Sequence, residues 1–188
     1  MTWENDLLDI SQWAMQSLDL RYRYIYSKTA KDLSGTPGLA ICLENAVVFA
    51  IYEAARGKSY TSGWAVEHEK QYPSIGGINP KRSDLAFKAP GKGKNWAYVE
   101  VKKYDTAGKA KVTKDIEKLQ LLTGVQRWIL AYRIRPSDSN AFLLADLLIR
   151  NFDGSDGQKL EIHGSREFNT LTKEGEYGIC DICLARIK

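Results

Sequence analysis

The stretch that most constrains this chain runs from Lys81 to Tyr104. Two runs of alternating residues, Lys81 to Phe87 and Trp96 to Tyr104, flank the segment Lys88-Ala89-Pro90-Gly91-Lys92-Gly93-Lys94-Asn95. Proline, glycine and asparagine at that density signal a turn, and a period of two on either side signals strands. The unit is an antiparallel hairpin. With the turn centred near Lys92, Asp84 lies eight residues before it and Glu100 eight residues after it. The two carboxylates then face each other across the pair. Lys102, two residues beyond Glu100, shares that face, while Val99 and Val101 point the other way, into the core. Register is the condition, because a slip of one residue would move Asp84 to the opposite face.

Around the hairpin the pattern alternates between helical and extended. Trp3, Leu7, Ile10, Ala14 and Leu18 recur at helical spacing and predict a helix over 3–18. The basic and aromatic run Arg21-Tyr22-Arg23-Tyr24-Ile25-Tyr26 follows, read as tyrosines covering the core with arginines in water. Thr36 and Pro37 suit the cap and first position of a second helix, predicted from Pro37 to Arg56 and stopped by Gly57. Its apolar stripe, Ala40, Val47, Val48, Ile51 and Ala55, carries one acid, Glu44. A buried, unpaired carboxylate costs several kcal/mol, so Glu44 is expected to have a partner. Residues 61–71 then alternate like a strand. After the hairpin, Asp115 to Leu122 read as a helix, 127–134 as a buried strand, 141–151 as a helix, and 159–163 and 177–187 as late strands. The expected class is α/β, a mixed sheet covered by helices, in one domain spanning residues 1–188.

Composition narrows the function classes. The 188 residues are 44% hydrophobic and 27% charged, an ordinary globular balance. No apolar run approaches the roughly 20 residues of a membrane span, and the acidic start lacks the layout of a secretory signal, so a cytoplasmic location is expected. Cys42, Cys180 and Cys183 are too few for a disulfide framework. Cys180-x-x-Cys183 has no second pair to complete a zinc site and reads as two small apolar residues in a strand. A formal charge of +4 is compatible with a polyanionic partner without demanding one.

Two carboxylates opposed across a hairpin repel and call for a cation. Oxygen ligands of this kind suit Mg2+ or Mn2+. Such an ion acidifies a bound water and neutralises a phosphate oxygen, and a neighbouring lysine can position or deprotonate that water or stabilise developing charge. The carbonyl of Val101, between Glu100 and Lys102, is within reach of the same ion.

The order Glu44 in a helix, Asp84 in a strand within Lys81-Arg82-Ser83-Asp84-Leu85, then Glu100-Val101-Lys102 in the next strand resembles the PD-(D/E)xK, or restriction-endonuclease-like, nuclease superfamily. The resemblance covers about residues 37–134 and implies a three-layer α/β/α core with additions at both ends, an N-terminal helix and C-terminal strands. It further implies that Asp84 and Glu100 hold Mg2+, that Lys102 serves the attacking water, and that Glu44 completes the metal shell. Ser83 stands where the pattern's name has proline. The expected activity is metal-dependent hydrolysis of phosphodiester bonds, in DNA first and by internal cutting. Two alternatives stay open: a ribonuclease of the tRNA-directed, toxin-like kind using the same site, and a nucleic-acid-binding member of the fold that is inactive or acts only with partners.

Other residues surround this set. Lys103, Lys109, Lys111 and Lys114, in a run from Lys102 to Lys118 opposed only by Asp105, Asp115 and Glu117, are candidates to track phosphates. Lys88, Lys92 and Lys94 form a weaker basic patch. Glu67 is a candidate extra ligand, more simply read as a solvated strand acid. Trp3, Trp13 and the Tyr22–Tyr26 stretch are candidates for a homodimer surface.

Overall fold

The computed structural model describes residues 3–29, 38–71, 82–89, 94–105, 108–138, 143–152 and 159–188. The protein is mixed α/β. Helices α1 (Trp3–Thr29), α2 (Glu44–Ser59), α3 (Gly108–Gln120) and α4 (Leu144–Phe152) surround strands β1 (Ala65–Gln71), β2 (Arg82–Lys88), β3 (Asn95–Lys103), β4 (Gln126–Pro136), β5 (Leu160–Leu171) and β6 (Tyr177–Ile187). The strands form one sheet in the order β1-β2-β3-β4-β6-β5. Among the described residues only β3 and β4 are parallel; the other neighbouring pairs are antiparallel. A parallel neighbour requires a crossover, and α3 supplies it between β3 and β4.

Alternation along the strands feeds two cores. Leu85, Phe87, Val99, Val101, Leu130 and Tyr132 join Leu7, Met15, Val47 and Ile51 from α1 and α2. Ala86, Tyr98, Ile129 and Ala131 join Val112, Ile116 and Leu119 from α3 and Leu148 and Phe152 from α4. Each face of the sheet therefore carries its own pair of helices.

The hairpin has the expected register. Leu85 pairs with Val99, Ala86 with Tyr98 and Phe87 with Ala97. One step beyond the first of these pairs, away from the turn, come Asp84 and Glu100. The centre of the turn, residues 90–93, lies outside the described residues. The late strands are present, and β5 extends well past the expected residue 163, paired with β6 along its length. Cys180 and Cys183 are free and buried in β6, as expected of apolar fillers.

Three expectations need correction. The second helix does not begin at Pro37 (itself outside the described residues), nor does Gly57 stop it. A short 3-10 helix, Leu39–Ile41, precedes a helix that starts at Glu44 and runs through Gly57 to Ser59. Glu44 therefore occupies the first turn rather than the middle of an apolar stripe, a position where the helix dipole favours an acid. The first helix continues well past residue 18 and includes the Arg21–Tyr26 run. There Tyr24 and Tyr26 are exposed, and Arg23 turns inward to Asp19 at 2.8 Å. Trp3 is partly buried, its ring packed 4.8 Å from those of Phe87 and Trp96 and 5.4 Å from that of Trp128. Trp13 is 63% exposed. Among the described residues no helix is long and apolar enough to cross a membrane.

Candidate active site

The approach to α2 is fixed from two sides. Asp19, buried on α1, accepts hydrogen bonds from the Leu39 amide at 2.7 Å and the Thr170 hydroxyl at 2.9 Å. Gly38 makes this possible, since a Cβ there would collide with Asp19. From the other side, Lys103 Nζ donates to the Ala40 carbonyl at 2.9 Å. The start of α2 is thereby pinned beside the end of β3. Glu44 then reaches that strand with both oxygens. Oε2 accepts from the Lys103 amide at 3.0 Å, and Oε1 lies 2.9 Å from Lys102 Nζ. The partner expected for Glu44 is Lys102.

Asp84 sits where β2 and β3 part. The regular ladder ends at Leu85 and Val99, and the Asp84 side chain takes the next free amide, accepting from Val101 N–H at 2.7 Å. Along a strand the N–H and C=O of one residue point to the same edge, so the Val101 carbonyl also lies on the Asp84 side.

Lys102 Nζ gathers three carboxylates: Glu44 at 2.9 Å, Asp84 at 3.6 Å and Asp115 at 3.5 Å. Burial works to depress its pKa, but Asp84, Asp115 and Glu44 outweigh burial and hold it above the ordinary lysine value. Lys102 is therefore an ammonium at neutral pH. Glu100 is 1% exposed. Burial, then the nearby Asp84, push its pKa from 4.5 up to about 8, against the pull of Lys118. Lys118 Nζ is 2.7 Å from Glu100 Oε1 and 3.0 Å from Asp115 Oδ1.

The structure thus brings Glu44, Asp84, Glu100 and Lys102 together at the end of β3 and adds two residues that sequence reasoning missed, Asp115 and Lys118. Their signal was present. They are three apart on α3 and flank the buried stripe Val112, Ile116 and Leu119, a placement that aims both at the sheet.

The remaining candidates divide. Lys109, Lys111 and Lys114 are exposed on α3. Lys103 is half-buried and engaged by Ala40, with burial lowering its pKa. Glu67 is held by Lys88 at 2.7 Å and Lys70 at 3.2 Å, and the Lys88 bond leads in lowering its pKa. It behaves as a strand acid already matched by lysines.

Among the described residues no group of three or more His, Cys, Asp and Glu side chains is arranged to hold a metal ion. The donor chemistry at Asp84 and Glu100 nonetheless fits a hard divalent cation, because both offer carboxylate oxygens. Burial first and Asp84 second hold Glu100 up, and a cation between the two carboxylates would oppose both. The cluster is also rich in acids: among the described residues Glu44, Asp84, Glu100 and Asp115 gather around Lys102 and Lys118. Comparison of the chain with protein-family models, with curated proteins and with solved structures gives no match in any of the three.

Proposed function

We propose that this protein is a metal-dependent nuclease of the PD-(D/E)xK kind, built on a three-layer, restriction-endonuclease-like α/β/α core and hydrolysing phosphodiester bonds, DNA first among its substrates. One observation carries the reading: Glu44, Asp84, Glu100 and Lys102, from three separate segments, converge at one end of the sheet. The element order α2-β1-β2-β3-α3-β4, with β3 and β4 parallel, supports it, being the helix-strand-strand-strand-helix-strand core that the superfamily resemblance implies. In this reading α1 and strands β5 and β6 are the additions.

Asp84 and Glu100 would hold Mg2+ or Mn2+, with Glu44 and the Val101 carbonyl as further oxygen donors. The bound ion would supply a water of lowered pKa and a counter-charge for the phosphate. Lys102 enters as a cation. Its raised pKa suits stabilising the charge that develops on the phosphate better than removing a proton from water. Glu44 and Asp115 keep that ammonium aimed at Asp84. The exposed Lys109, Lys111 and Lys114 lie on the helix next to the site, where they can follow a phosphate backbone.

A second reading has its own observation. Lys102 and Lys118 already bridge the four carboxylates. A nucleic-acid-binding member of the fold that is inactive or needs a partner would keep such bridges as structure. One experiment separates the two. The protein is incubated with plasmid DNA, single-stranded DNA and total RNA in Mg2+, Mn2+ or EDTA, beside Asp84→Ala and Lys102→Ala. The nuclease reading expects metal-dependent cutting that both variants lose, and the substrate that is cut decides between DNA and RNA. A folded parent that cuts nothing, or an Asp84→Ala variant that cuts as well as the parent, sinks it.

A further inference from the structure

Asp115 and Lys118 have no part in holding a metal in the chemistry above, yet they are built into its centre. We propose that Lys118 is a resident counter-ion that a divalent metal displaces from Glu100, and that Asp115 is a positioning residue that receives the displaced ammonium. The proposal rests on the reading of Asp84 and Glu100 as metal ligands.

The geometry supports an exchange in place. Lys118 Nζ contacts Glu100 at 2.7 Å and Asp115 at 3.0 Å, so it already touches both acids between which it would move. Asp115 divides its oxygens, Oδ1 toward Lys118 and Oδ2 toward Lys102 at 3.5 Å. Losing Glu100 would therefore leave Lys118 an acceptor without any shift of the backbone. That backbone is fixed, because Val112, Ile116 and Leu119 of α3 are fully buried against the sheet. The pair is not a solvated bridge. The side chains of Lys118 and Asp115 are only 15% and 14% exposed, and that of Glu100 only 2%. A cation this close to a ligand oxygen opposes a second cation there. The same device would keep the acids from repelling one another when no metal is bound.

The test is isothermal titration of the full chain with Mn2+, with circular dichroism showing each variant folded. Lys118→Met removes the competing charge and is expected to tighten Mn2+ binding about tenfold, as removal of a nearby like charge in a buried site should. Lys118→Arg keeps the charge and is expected to stay near the parent, as is Lys58→Met on α2. An architectural role for Lys118 predicts the opposite: unchanged or weaker binding in Lys118→Met, which would overturn the counter-ion. The role of Asp115 is read from a double-mutant cycle. Asp115→Asn is expected to weaken Mn2+ binding more in the parent than in Lys118→Met, and an equal effect in both would overturn it. A parent that binds no Mn2+ and cuts no nucleic acid would overturn the metal reading and this inference together. A parent that binds and cuts, with no gain in Lys118→Met, would overturn only the inference.

Discussion

Two ionic networks, each built around one buried carboxylate, sit at different places on the same sheet, and their balance differs. Toward the β5 end, Asp181 on β6 stands beside Arg133 in register and bonds Arg133 Nη2 at 2.8 Å and Arg135 Nε at 2.9 Å, while Glu167 on β5 takes Arg135 Nη2 at 3.4 Å. Two acids meet two arginines, and Asp181 accepts from Arg135 Nε with both oxygens. At the end of β3, four acids meet two lysines, compact charges on flexible stems. The first network is closed in charge, two acids to two arginines. The second leaves Glu100 at about 8, its ionised form held at a cost. A surplus of buried acid is a poor way to stabilise a fold and a good way to receive a cation.

The largest effect should come from opening the closed network. Asp181→Ala leaves Arg133 and Arg135 without their shared carboxylate, and breaking a buried pair from one side costs about 3–5 kcal/mol. Urea denaturation measures it, and a loss under about 1 kcal/mol would show that the β5 end is less dependent on its ion pairs than the contrast requires. The open network should respond in the opposite sense to losing an acid. Because the folded state holds the Glu100 proton more tightly than the unfolded chain, that contribution to stability is full below pH 4.5 and is lost as pH rises through about 8. In EDTA, the difference between the parent and Glu100→Gln should therefore change with pH by a few kcal/mol across this window, with the variant gaining on the parent as pH rises. Parallel stability curves for the two proteins would refute it.

An intermediate effect is expected at the contact that links the α1–β5 region to the site. Gly38→Ala forces a Cβ against Asp19, whose carboxylate anchors Leu39 and through it the start of α2. Overpacking of this kind costs about 1–3 kcal/mol in thermal or urea denaturation. Because Glu44 follows on the same short segment, the variant should also lose Mn2+ affinity, whereas Asp181→Ala in its folded state should not. Equal losses in the two variants would erase the distinction between the regions.

The sequence disclosed the strand half of the site more fully than the helical half, and the reason is physical. A period of two leaves only two faces, so once the turn is located Asp84, Glu100 and Lys102 fall together, as the pairing of Leu85 with Val99 requires. The start of α2 is set otherwise. Thr36 and Pro37 are local signals, but the segment after them is held by Asp19, 20 residues before Leu39, and by Lys103, 63 residues after Ala40. No local pattern encodes those bonds. Lys118 and Asp115 were legible as charges flanking the buried stripe of a helix, but what makes them part of the site is Glu100 across the β3–α3 interface. The extension of α1 through Tyr22–Tyr26 was hidden for a similar reason, as Arg23 is drawn inward by an aspartate that itself answers to Leu39 and Thr170.

The smallest expected effect on stability tests whether the open network faces a polyanion. Lys111 and Lys114 are exposed, and replacing either with alanine should change folding stability by no more than about 0.5 kcal/mol. Their contribution would emerge only with nucleic acid present. For every phosphate that a lysine no longer neutralises, the slope of log affinity against log salt falls by about one for duplex DNA, uniformly across sequences. Titrating duplex DNA by fluorescence anisotropy at several salt concentrations, in EDTA to prevent cutting, reads that slope for the parent and each variant. A reduced slope in Lys111→Ala and Lys114→Ala, with Lys58→Ala unchanged, would place the phosphate track along α3, directly beside the acids that Lys102 and Lys118 bridge. Unchanged slopes in all three would make the α3 lysines a solvated face and point instead to Lys88 and Lys94, at the ends of the β2–β3 turn, as the track.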